Sequence, residues 1–128
     1  MIFRDRCCAR IGLVGNPSDG YHGKTIALAI RNFCAEATVY ESPEVELRPA
    51  SQDRSTFNCL DEMLDNISCT GYYGGIRLLK AAVKKFVEYH RDKGTKLPDR
   101  NFTLRYNTNI PRQVGLGGSS AIITAVMR

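Results

Sequence analysis

Between Pro111 and Ala121 the chain reads Pro-Arg-Gln-Val-Gly-Leu-Gly-Gly-Ser-Ser-Ala, a run suited to bringing backbone close to an anion. Glycine has no Cβ, so Gly115, Gly117 and Gly118 can take left-handed conformations and let a ligand approach the main chain. A helix is predicted to open at Ser119. The unpaired amides of its first turn would point at the same place. Ser119 and Ser120 can cap that helix, and a hydroxyl there can also reach a Mg²⁺ ion carried by a phosphate. Phosphate binding is one reading of the run. A flexible loop followed by an ordinary serine-capped helix is the other, and glycine content alone does not separate them.

A second run, Arg10-Ile-Gly-Leu-Val-Gly-Asn-Pro-Ser-Asp19, carries a guanidinium at one end and a carboxylate at the other. By themselves these are a surface arginine and a turn-forming aspartate. Two further features are set aside. Gly23-Lys24-Thr25 resembles the end of a P-loop, but Ser18 stands where that motif needs its first glycine, and Thr25–Ile30 reads as strand rather than helix. His22 and His90 have no cysteine or carboxylate at metal-ligand spacing and read as surface residues.

Composition narrows the field. At 128 residues the chain suits one domain, and 43% hydrophobic with 24% charged residues is ordinary globular usage. No apolar run is long enough to span a bilayer, and Met1–Arg10 lacks the apolar core of a signal peptide, so a cytoplasmic location and no membrane partner are expected. Cys7, Cys8, Cys34, Cys59 and Cys69 are odd in number and include no C-x-x-C pair, which argues against a metal site or a disulfide framework. The net charge of +5 suits nucleic acid or an anionic metabolite such as ATP. Much of it lies at Arg77, Lys80, Lys84, Lys85, Arg91, Lys93 and Lys96. With few aromatics among them for base stacking, these read as the solvated face of a helix rather than a nucleic-acid surface.

The elements that must position these residues follow from periodicity. Ala9–Gly15 reads as a strand ending in the turn Asn16–Gly20. Thr25–Ile30 and Ala35–Glu41 read as strand with a bend or bulge at Arg31–Phe33, and Val45–Arg48 as a short strand closed by Pro49. After a polar loop at Ala50–Ser55, Thr56–Ile67 has helical spacing. The longest periodic stretch, Tyr72–Asp92, sets Ile76, Leu79, Val83, Phe86 and Val87 on one helical face. Phe102–Tyr106 alternates as a half-buried strand. The last helix, from Ser119, is apolar on nearly every side. Ile122, Ile123, Val126 and Met127 are expected to find few packing partners in this chain.

Order and spacing tie the two runs together. Proline, three residues, Gly-Leu-Gly, a small residue and serine resembles the second motif of the GHMP kinases, which act on galactose, homoserine, mevalonate and phosphomevalonate. The Arg10–Asp19 run resembles their first motif, with Asn16-Pro17 where galactokinases have Glu-His. Within that family, Gly15–Asp19, Gly71–Gly75 and Asn107–Gln113 resemble the glucuronokinase branch.

The resemblance implies an α+β fold: a mixed, largely antiparallel sheet backed by helices, with the left-handed β-α-β crossover of the GHMP N-terminal domain. It implies ATP and Mg²⁺ as cofactors, and a sugar acid as substrate, D-glucuronate phosphorylated at its anomeric hydroxyl. Pro111, Gly115, Leu116, Gly117, Gly118, Ser119 and Ser120 would wrap the ATP phosphates, with Ser119 on the metal. Arg10 would act in catalysis by offsetting charge at the transferred phosphoryl group. Asn16, Asp19, Tyr21 and Arg112 would meet the substrate, with Arg112 or Arg10 forking its carboxylate. The family's third glycine-rich motif, its aspartate base and an acidic metal ligand fall after the second motif and have no counterpart here. The expectation is therefore an N-terminal ATP-binding domain, residues 1–128, incomplete at its C-terminal end and inactive as an isolated piece. The other possibility is a non-catalytic truncated product acting as an interaction or nucleic-acid-binding module. Oligomeric state is left open.

Overall fold

A computed structural model describes residues 1–50, 53, 59, 65, 68 and 74–128. Its first two strands form a long antiparallel ribbon, β1 (Ile2–Val14) and β2 (Ile26–Glu41). β1 starts earlier than its sequence suggests. Ile2–Cys8 mixes charge with apolar residues because this strand lies at a sheet edge, where Arg4 and Arg6 stay in water. β2 is continuous through the expected bend. Cys8 pairs with Cys34 and Ala9 with Ile30, so residues 31–33 face no partner and form the anticipated bulge.

β3 (Glu46–Arg48) and β4 (Phe102–Thr108) complete a sheet ordered β1-β2-β4-β3. β4 runs antiparallel to β2 and parallel to β3, giving the mixed, largely antiparallel sheet. A parallel pair needs a crossover, and helix α1 (Gly75–Asp92) lies in it. Most of the helix read for Thr56–Ile67 and most of the Gly71–Gly75 segment lie outside the described residues.

Helix α2 (Gly118–Met127) packs on β1, β2 and α1. Alanine on both surfaces permits a close approach. Ala121 and Ala125, one turn apart on α2, join Ala9, Ala35 and Ala37 of the ribbon in one buried cluster. Leu79 of α1, Leu104 and Tyr106 of β4 and Ile110 fill the rest. The expectation that α2 would lack partners is corrected in part. Ile122 is only 4% exposed and Ile123 and Val126 are half-buried, because the ribbon and α1 cover two sides of the helix. Met127 remains 45% exposed.

The basic residues of α1 are exposed as read, and Lys84 and Lys85 pair with Glu88 on the solvent side. The Lys85 hydrogen bond is the largest influence, and together with the charges of Lys85 and Lys84 it outweighs the opposing desolvation and holds the Glu88 carboxyl below its usual value. Among the described residues, Cys7, Cys8, Cys34 and Cys59 are free thiols, and no helix is long and apolar enough to cross a membrane.

Candidate phosphate-binding site

β4 delivers the chain into the glycine-rich loop through a clamp on the β2 bulge. The Asn109 side chain accepts from Cys34 N–H at 2.7 Å and donates to the Asn32 carbonyl at 3.0 Å, while its own N–H donates to the Cys34 carbonyl at 3.2 Å. Thr108 Oγ1 donates to the same carbonyl at 3.0 Å and accepts from Ile110 N–H at 3.1 Å. A bulge leaves backbone groups without ladder partners, and Thr108 and Asn109 satisfy them. The start of the loop is thereby fixed relative to the sheet. The sequence reading included both residues in the Asn107–Gln113 run but gave neither a role, although Asn in a Thr-Asn-Ile-Pro strand exit signals side-chain-to-backbone bonding.

Beyond Pro111 the backbone alternates. Gln113, Gly115 and Gly117 have φ of 59°, 76° and 65°, with no positive φ at the residues between. Alternation of left-handed and ordinary residues turns successive N–H groups toward one side and makes an anion-binding concavity. Two of these positions are glycine, which tolerates the conformation. Gln113 adopts it as a non-glycine residue and was not anticipated.

The loop runs directly into α2. The first helical bond is Ala121 N–H to the Gly117 carbonyl at 2.9 Å, and no side chain caps the helix at Gly117. Residues 118–120 therefore precede the helical ladder, and the partial positive charge of the helix N-terminus adds to that of the loop. The loop residues from Pro111 to Ser119, with Tyr106, Thr108, Ile110 and Ile122, enclose a cavity of 280 Å³. Ser119 lines it and Ser120 does not, and among the described residues no carboxylate lines it.

β1 meets the loop at Arg10, whose N–H donates to the Leu116 carbonyl at 3.1 Å. A Cβ on Gly117 would lie 3.3 Å from Arg10 Cγ and 3.9 Å from its Nε, so the arginine stem runs beneath the loop. Arg10 is exposed and has no ion-pair partner among the described residues. The two runs singled out in the sequence are thus joined at this residue.

Arg112 is differently placed. It lines the cavity, yet its Nη2 donates at 3.1 Å to Asp53 Oδ1, whose side chain is only 5% exposed. The same carboxylate accepts from Tyr106 Oη and from Gly75 N–H at 3.0 Å. The sequence reading passed over Asp53 because it sits in a polar loop with no local pattern.

Asn16, Asp19 and Tyr21 lie on the far turn of the ribbon, all exposed, and none lines the loop cavity. Asn16 folds back so that a Cβ on Gly12 would come within 2.8 Å of its own Cβ. Ser18 Oγ bonds the carbonyls of Gly15 and Lys24 and closes that turn, while β2 follows where a P-loop would need a helix. Lys24 therefore belongs to a strand-to-strand turn.

Sequence comparison concerns the same part of the chain. Residues 77–128 match the GHMP kinases N terminal domain. Those residues hold most of α1, all of β4, the glycine-rich loop and α2, so the match falls on the proposed phosphate site. Over 127 residues the chain is 47% identical to probable glucuronokinase 2 of Arabidopsis thaliana, and over 123 residues 46% identical to glucuronokinase 1 of the same plant. These alignments cover 98% and 95% of this chain but 35% and 34% of the relatives, so the chain spans about a third of their length. Solved structures of two kinases share the fold. Phosphomevalonate kinase of Streptococcus pneumoniae superposes with a TM-score of 0.65 at 14% identity, over 99% of this chain and 33% of that one. Mevalonate kinase of methicillin-resistant Staphylococcus aureus gives 0.58 at 16% identity, over 99% and 37%.

Proposed function

We propose that this chain forms the ATP-phosphate site of a sugar-acid kinase that converts D-glucuronate to glucuronate 1-phosphate. The observation that carries the reading is the alternating loop at the head of α2, with Arg10 beneath it and no carboxylate among the described residues that line its cavity. Backbone N–H groups of the loop and first helical turn bind the phosphate oxygens. Arg10 contributes positive charge beside the transferred group, where phosphoryl transfer depends on positioning and charge stabilisation. The sugar's anomeric oxygen attacks the γ-phosphorus, the bond to the β-phosphate oxygen breaks, and ADP leaves as the hydroxyl proton is lost.

Mg²⁺ fits as a partner of bound ATP. Ser119 supplies one hard oxygen at the cavity wall, and this ion takes few protein ligands beside phosphates and water. Bound there, it would neutralise phosphate charge. The substrate class rests on the likeness to the two Arabidopsis glucuronokinases. Asn16, Asp19 and Tyr21 present hydrogen-bonding groups suited to sugar hydroxyls, and with Arg112 held by Asp53, Arg10 is the guanidinium more open to an anion.

The test is ADP release by the full-length protein from ATP with D-glucuronate, D-galacturonate, D-galactose, D-glucose and mevalonate. D-glucuronate should give the highest kcat/KM, with a 1-phosphate product by phosphorus NMR. A clear preference for a neutral sugar or for mevalonate sinks the substrate assignment.

A further inference from the structure

We propose that Asp53 is a positioning residue for the phosphate loop, acting through Arg112; the proposal rests on the cavity being the ATP-phosphate site. Asp53 N–H donates to the Ala50 carbonyl at 2.9 Å, and Ala50 itself is buried. Its side chain is 5% exposed, and a carboxylate that dry is tolerated only where donors surround it. The donors come from three elements: Gly75 N–H at the start of α1, Tyr106 Oη on β4, and Arg112 Nη2 on the loop.

Each contact has a local consequence. Gly74 offers no side chain to cap α1, so Asp53 supplies from a distance the acceptor and negative charge that a helix N-terminus favours. The Tyr106 ring and hydroxyl lie where a Cβ on Gly75 would be, so glycine is needed for this approach. Tyr106 and Arg112 both line the cavity, whereas Asp53 does not. Asp53 therefore touches neither nucleotide nor sugar. It holds the cavity wall and fixes the Arg112 guanidinium in place, so that the loop is shaped before ATP arrives. A preorganised wall of this kind strengthens binding by lowering the ordering cost.

The test compares Asp53→Asn, Arg112→Gln and the double variant in the full-length protein. The measurements are ATP affinity by calorimetry, KM for ATP and for the sugar, kcat and thermal midpoint. Asp53→Asn should weaken ATP binding and raise its KM about tenfold, the scale seen when residues supporting a binding group are lost, while the sugar KM stays within about twofold. The double variant should bind ATP as Arg112→Gln does, because the carboxylate acts through that guanidinium. Independent, multiplying losses would overturn the proposal, as would a lowered thermal midpoint with an unchanged ATP KM. If Asp53→Asn does not fold, Arg112→Lys carries the test. It keeps the charge and loses the planar guanidinium whose Nη2 donates to Asp53, so an unchanged ATP KM overturns the proposal and a comparable rise supports it. Wild-type protein that binds no ATP would overturn the reading of the cavity itself, and this inference with it.

Discussion

Ser119 and Ser120 are adjacent, both exposed, and chemically identical, yet only Ser119 lines the cavity. Ser119→Ala in the full-length protein should therefore lower kcat by about tenfold or more, roughly 1.4 kcal/mol of transition-state stabilisation, and Ser120→Ala by much less. Steady-state kinetics at saturating ATP and sugar would check this, and equal losses would place the metal-side hydroxyl one residue away. Gly117 makes a second residue-scale case. Alanine there must hold a φ of 65° and place its Cβ 3.3 Å from Arg10 Cγ. Gly117→Ala should cost about 1–2 kcal/mol from the left-handed backbone alone, read as a lower urea midpoint. Its ATP affinity should fall as well, because Arg10 is pushed from beneath the loop.

At the scale of elements, α1 reads clearly because its apolar and basic residues separate at helical period. Leu79 is fully buried between the sheet and α2, so Leu79→Ala should destabilise by about 2–5 kcal/mol in chemical denaturation. The opposite face is solvated, and Lys85 and Glu88 pair where water and salt screen them. The lowered Glu88 carboxyl contributes stability above its unfolded value and loses it as pH falls through the folded one. Glu88→Gln should therefore alter the thermal midpoint only slightly at neutral pH, and less still in high salt. The β1–β2 ribbon was only partly legible. A sequence window shows that Arg31–Phe33 interrupts the alternation, but not that β2 continues across it as one strand. Continuity comes from the Asn109 and Thr108 bonds, made by side chains some 75 residues further along.

For the whole molecule, the feature with most bearing on solution behaviour lies on the side away from the phosphate loop. Phe3, Val39, Val83, Phe86, Leu97, Phe102 and Met127 are among the residues that line an apolar groove of 410 Å³. Phe3 is 59% exposed and Phe86 39%. Open apolar surface of this kind favours association. The 128-residue chain expressed alone should bind a hydrophobic dye and show concentration-dependent size by light scattering. Phe3→Lys and Phe86→Lys together should reduce both. A monodisperse monomer with no dye signal would mean that the groove closes in solution.

The sequence by itself determined the placing of α1, β4 and α2 and singled out the two glycine-bearing runs, while the fold class followed from the family resemblance that those runs carry. Those signals are local: helical period, strand alternation, and glycine spacing ahead of an apolar helix can each be read within some twenty residues. Tertiary structure decided which charged groups meet. Arg10 and Arg112 looked interchangeable as anion-binding forks, and folding set one beneath the loop and paired the other with Asp53. It also gave α2 part of its cover, burying Ile122 against neighbours from distant strands. These outcomes depend on contacts across wide gaps in sequence, where a buried carboxylate takes whatever donors the fold brings to it. No window around Asp53 contains Tyr106 or Arg112, so its role became visible only once the chain had folded.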